Sequence, residues 1–152
     1  MTQYDSTAET LKHIRRVNTL LIFAAQEILR RASVHDESKL GDIEKPLFDR
    51  LTPLLAGVEY GSDQYKQILS DLKPALDHHY KNNSHHPEYY HGGVNGMDLF
   101  DLMEMFFDWK AAGERDKGGN IEDSIRINVE RFKIDPQIDR IFRNTAFRYF
   151  DK

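Results

Sequence analysis

The sequence predicts an all-α fold, a compact bundle of five or more helices, and three observations carry that expectation. Apolar residues recur at three- and four-residue steps along several separate segments. No segment alternates apolar and polar residues as a half-buried strand would. Helix-start residues stand ahead of the periodic segments: Ser6, Ser62, Asn120 and the pair Asp135-Pro136. A length of 152 residues fits one domain, 1–152, with enough chain to bury a real core.

The elements follow in order. Ser6-x-x-Glu9 has the form of a capping box. It opens a helix from about Thr7 to Arg31, with Leu11, Ile14, Val17, Leu21, Ala25 and Ile28 along one face. His13 lies one turn before Val17 and is expected on the core side. VHDESKLGD then reads as a junction or helix start, and Pro46, Pro53, Gly57 and Gly61 break the next stretch into short helices and loops. Ser62 opens a second long helix striped by Tyr65, Leu69, Leu72, Leu76 and His79, with Pro74 expected to kink it.

Lys81 to Gly96 has no period and reads as a loop, unusually rich in histidine and tyrosine for a connector. Met97 to Ala112 is a third helix, apolar nearly all round and hence central. On it Asp101, Glu104 and Asp108 fall within about 60° of one another at ~100° per residue. Buried carboxylates need partners, so this stripe is expected to meet a metal or cations. Two further helices begin at Asn120 and at Asp135-Pro136.

Composition narrows the function classes. Lys plus Arg is 21 against 25 Asp plus Glu, a net charge of −4, which argues against bulk nucleic-acid binding. The longest apolar run, Leu20 to Ala25, is far short of a bilayer span, and the first residues lack a signal peptide's basic and apolar regions. Cysteine is absent, which excludes disulfides, thiolate ligands and cysteine nucleophiles and fits a reducing, cytoplasmic setting.

Against that background four features carry chemistry: His13, the His35-Asp36 pair, the pairs His78-His79 and His85-His86, and the acidic stripe ending at Asp108. Imidazole with carboxylate suits Mn, Fe, Co, Ni or Zn, and Mg where fewer imidazoles bind. Lys39 follows Asp36 by three residues, and on a helix it would share that face and meet a phosphate as a point charge. Arg16, one turn after His13, is a similar cation. Each feature alone also has a plain reading: a helix cap at His35-Asp36, a solvated loop at His85-His86, an exposed lysine at Lys39.

The order of these motifs resembles the HD-domain metal-dependent phosphohydrolases. KHIRRV is similar to that superfamily's first-helix H-x-x-R-V, HDESK to its HD-x-x-K, and EMFFDWKAAGER to the helix supplying its last Asp. HHYKNNSHHPEYY with MDLFDLMEMFFDW also resembles a small subfamily seen mainly in phage and bacterial genomes. The resemblance implies an HD-like helical domain and makes His13, His35, Asp36 and Asp108 metal ligands, with His79, His85 and His86 available to a second ion.

It also implies hydrolysis of a small phosphorylated metabolite, a nucleotide first of all. Lys39, His79 and Glu104 would be catalytic, and Arg16, Lys39, His85 and His86 would bind substrate. An HD-fold di-iron oxygenase, or a non-catalytic protein that binds a nucleotide or a partner, is the alternative. The His-rich loop is expected to line the pocket mouth, with His79 and one of His85 or His86 turned to the metal.

Overall fold

The computed structural model describes residues 4–59, 61–115 and 119–150. Those residues form six α-helices and three short 3₁₀ turns, with no strand among them. The chain divides into two units, Met1–His35 and Asp36–Lys152.

The first unit is one helix, α1 (Thr7–Val34), three residues longer than the periodicity predicts. Its N-terminus is tied by Asp5 and not by the expected Ser6. The Asp5 carboxylate accepts from the Thr7 N–H at 2.9 Å and from the Thr7 hydroxyl at 2.6 Å, while Ser6 makes no side-chain cap bond. None of the residues of α1 is buried, so His13 is exposed, against the expectation that it faces a core.

The second unit begins with Asp36 in the left-handed region (φ 57°), followed by a 3₁₀ turn over Glu37–Leu40. A short polar side chain tolerates this conformation better than most. α2 (Lys45–Leu55) and α3 (Asp63–Asn82) follow. They share a core of Leu51, Ile68 and Leu72, packed round by Leu47, Phe48, Leu55, Val58, Leu69 and Leu76. The Ser62 hydroxyl accepts from the Tyr65 N–H at 3.1 Å, the predicted cap, and α3 continues through Pro74.

α4 (Leu99–Gly113), α5 (Ile121–Phe132) and α6 (Pro136–Tyr149) build a second core. It holds Met105, Phe106, Trp109, Ile121, Ile125, Ile134, Phe142 and Ala146. Phe106 stacks on Phe142 (5.4 Å between ring centres) and Trp109 meets the same ring edge-on at 5.7 Å. Asn120 and Asp135 cap α5 and α6 through their side chains, as predicted.

α4 starts two residues later than its apolar run suggests. Asp98 is its N-cap, accepting from the N–H groups of Phe100 and Asp101 at 2.8 and 2.9 Å. Asp101 reaches back to the Asp98 N–H at 3.0 Å, which closes a capping box. Between α3 and α4 run the 3₁₀ turns Pro87–Tyr89 and Gly93–Gly96. This loop is stapled to α4, because the buried Asp101 carboxylate accepts from the Ser84 hydroxyl at 2.7 Å and the Tyr90 hydroxyl at 2.6 Å. Gly96 lies so close to Tyr90 that a Cβ there would sit 2.7 Å from the Tyr90 Cβ. No helix among the described residues is long and apolar enough to cross a membrane.

Candidate metal centre

The second unit brings a carboxylate and three imidazoles together. Asp36 lies at the turn before the first 3₁₀ segment, His79 in the last turn of α3, and His85 and His86 in the stapled loop. One ligand atom from each of the four lies within 4.8 Å of the others. His79 Nε2 is 2.9 Å from His86 Nε2 and 3.2 Å from Asp36 Oδ1, and His85 Nε2 is 3.4 Å from the same oxygen.

Those spacings have a direct chemical reading. Ligands at ~2.1 Å from one ion stand about 3.0 Å apart in an octahedron and about 3.4 Å apart in a tetrahedron. Proton accounting points the same way. His79 contacts the Glu44 carboxylate through Nδ1 at 3.0 Å, and His85 contacts Glu104 Oε1 through Nδ1 at 3.2 Å. With each Nδ1 turned to a carboxylate, both rings could also donate from Nε2 to Asp36 only as two adjacent buried imidazolium ions. A divalent cation between the Nε2 atoms and Asp36 Oδ1 meets the same need with neutral rings, so the donor set fits a borderline transition metal such as Zn, Co, Ni, Mn or Fe.

Electrostatics follow the geometry. Burial pushes the Asp36 carboxyl up, but the polar contacts with His79, His85 and Lys39 and the Lys39 charge outweigh it, and the carboxyl is held well below the ordinary carboxylate range. Lys39 Nζ is 2.5 Å from Asp36 Oδ2, the oxygen that does not face the imidazoles. Burial lowers His86 to about 3, aided by the neighbouring His85 and His79 and opposed by the charges of Asp108 and Asp36. A histidine held neutral is a histidine able to ligate.

The predicted residues separate accordingly. His79, His85, His86 and Asp36 meet in one cluster, and Lys39 and Glu104 touch its members directly. Asp108 stands close enough to act on His86 by charge. His35 ends the first unit as the C-cap of α1. His13 does not join it: 22 residues separate them along one unbroken helix, which at 1.5 Å per residue is about 33 Å. Two ligands of one ion lie at most ~4.2 Å apart, so His13 and His35 of one chain cannot share a metal. Arg16 lies on the same continuous helix, 19 residues before His35 and about 28 Å from it, which removes it as a phosphate contact beside the His-Asp motif. Within the acidic stripe, Asp101 is engaged by loop hydroxyls and its own capping box.

Three contributors were not visible in the sequence. Glu44, fully buried, contacts His78 Nδ1 at 2.7 Å as well as His79. Asn83 donates to the Ser38 hydroxyl at 2.8 Å and to the His79 carbonyl at 2.8 Å, which ties the HD turn to the end of α3. Glu44 stands alone between Asp42 and Pro46 with no motif around it, whereas Ser38 and Asn83 at least lie within the HDESK and NNSHHPE stretches.

The fold and cluster thus define an all-α protein with a buried histidine–carboxylate centre. The chain belongs to the family described as "Family of unknown function (DUF5662)", whose model matches residues 2–147. No curated protein and no solved structure matches it.

Proposed function

We propose that this protein is a metal-dependent phosphohydrolase acting on a small phosphorylated metabolite, with a nucleotide as the first class to test. The observation that supports the reading is the spacing of the Asp36, His79, His85 and His86 ligand atoms, with a lysine on the outer oxygen of the same Asp36. These four residues would hold a divalent ion, which supplies Lewis acidity toward a phosphoryl oxygen and acidifies water. Lys39 then offers a cation beside the centre to offset charge on the equatorial oxygens of a transferring phosphoryl group. Glu104 fixes His85 through its Nδ1. Of the HD-like motif residues, Asp36 and Lys39 belong to this centre, and His13 does not.

Metal content and phosphate release, measured together on two variants, test the proposal. Asp36→Ala removes the central carboxylate and should lose both metal and turnover. Lys39→Ala leaves the four ligands intact, so it should keep its metal and lose about 10²–10³-fold in rate, the loss typical of a missing transition-state donor. Parent protein that takes up none of Mn, Co, Ni or Zn refutes the metal centre. A metal-loaded parent that releases no phosphate from a broad panel of phosphorylated metabolites refutes the hydrolase.

A further inference from the structure

Glu44 is a carboxylate buried completely at the start of α2, a costly place for a charge unless donors meet it. Two do. His78 Nδ1 lies 2.7 Å from Oε1, and His79 Nδ1 lies 3.0 Å from Oε2. A carboxylate only accepts hydrogen bonds, so each of these ring nitrogens must carry its proton to make one. His79 Nδ1 has two other neighbours, the Ser38 hydroxyl at 3.1 Å and the Asn83 amide nitrogen at 3.0 Å. The Asn83 amide has two hydrogens, and both have better acceptors at 2.8 Å, Ser38 Oγ and the His79 carbonyl. That leaves the Ser38 hydroxyl proton as the competitor for His79 Nδ1, at 3.1 Å against 3.0 Å to Glu44, and a bond to the charged carboxylate is the stronger of the two.

We propose that Glu44 is a positioning residue: bridging His78 and His79, it fixes the His79 proton on Nδ1 and turns the Nε2 lone pair toward Asp36, His85 and His86. The inference deepens the metal-centre reading but rests on separate atoms. The arrangement is the carboxylate–histidine pairing that orients a ligating imidazole and raises its basicity. Glu44 also explains why adjacent histidines behave differently. Both rings contact one carboxylate, but only His79 is buried, and only its far nitrogen faces the cluster.

Two measurements test it. Long-range ¹⁵N–¹H spectra of the metal-free full chain at pH 8 report which ring nitrogen of His79 is protonated, and Nδ1–H is expected. A proton on Nε2 with Nδ1 bare overturns the inference, whatever the metal result. Zn²⁺ titration of parent and Glu44→Gln is the second. Glutamine keeps the volume but accepts at only one of its two terminal atoms, so it cannot satisfy both Nδ1–H groups. Zn²⁺ affinity should fall 10–100-fold, the usual effect of removing such a partner. Equal affinity in a folded Glu44→Gln protein overturns the positioning role. If the parent binds no Zn²⁺, the metal-centre reading fails, and the His79 spectrum still decides for or against Glu44. If Glu44→Gln does not fold, the parent spectrum alone decides.

Discussion

Tyr90 and Asp101 show how a single pair of side chains holds the loop that carries two of the cluster's histidines. The Tyr90 hydroxyl donates to a buried carboxylate that also accepts from Ser84 and from the Asp98 N–H. Burial raises the Tyr90 hydroxyl to about 12, helped by the hydrogen bond to Asp101 and by its charge. The folded value lies above the unfolded one near 10, so this contribution is fully present below pH 10 and is lost as pH rises toward 12. Tyr90→Phe should cost about 1.5 kcal/mol at neutral pH, the scale of a hydrogen bond to a charged acceptor. Denaturant melts from pH 7 to 11.5 should show parent and variant converging at the alkaline end. A constant gap across that range would mean that Tyr90 acts by packing alone.

At the scale of elements, helix periodicity was the most legible part of the chain. α3, α5 and α6 appear where their stripes and caps place them, because amphipathic spacing and Ser, Asn or Asp at the start are local signals. α4 was harder, since a helix apolar nearly all round gives no stripe to mark its first turn, and Asp98 looked like one more acid within it. In fact Asp98 is the cap. Asp98→Ala should destabilise the second unit by about 1 kcal/mol, read as a lower urea midpoint with an unchanged slope.

The loop before α4 depends on a close approach. Gly96→Ala would place a methyl 2.7–2.9 Å from Tyr90 carbons, so the loop must shift where Tyr90 holds it to Asp101. That variant should destabilise by at least as much as Tyr90→Phe, checked by the same melts. Smaller loss would show that the loop accommodates a side chain there. For the site, legibility stopped at tertiary structure. The histidines and Asp36 announced themselves by type and clustering, whereas Glu44 acts only because folding buries it against α3. His13 misled because motif order says nothing about whether a helix continues unbroken between two motifs.

Across the whole molecule the candidate site belongs to the Asp36–Lys152 unit, with its possible ligands on the HD turn, the end of α3 and the stapled loop. An ion bound there therefore joins three segments that unfolding would separate, and metal binding becomes folding free energy. At ~100 times its dissociation constant, metal should add about 2.7 kcal/mol to the stability of that unit. Acid should weaken the effect. Unfolded histidines take protons near 6.5, but folded His86 stays neutral down to about 3. The unfolded state thus binds more protons over that interval, and the metal-free fold must lose stability as pH falls from 6.5 toward 3. Metal binding needs its imidazole ligands deprotonated, so the benefit of the ion should shrink as pH falls. Thermal melts with saturating Zn²⁺ and with chelator, compared at pH 7.5, 6 and 5, measure the difference directly. A gap between the two curves that is independent of pH would place the ion on carboxylates alone and remove the imidazoles from its coordination.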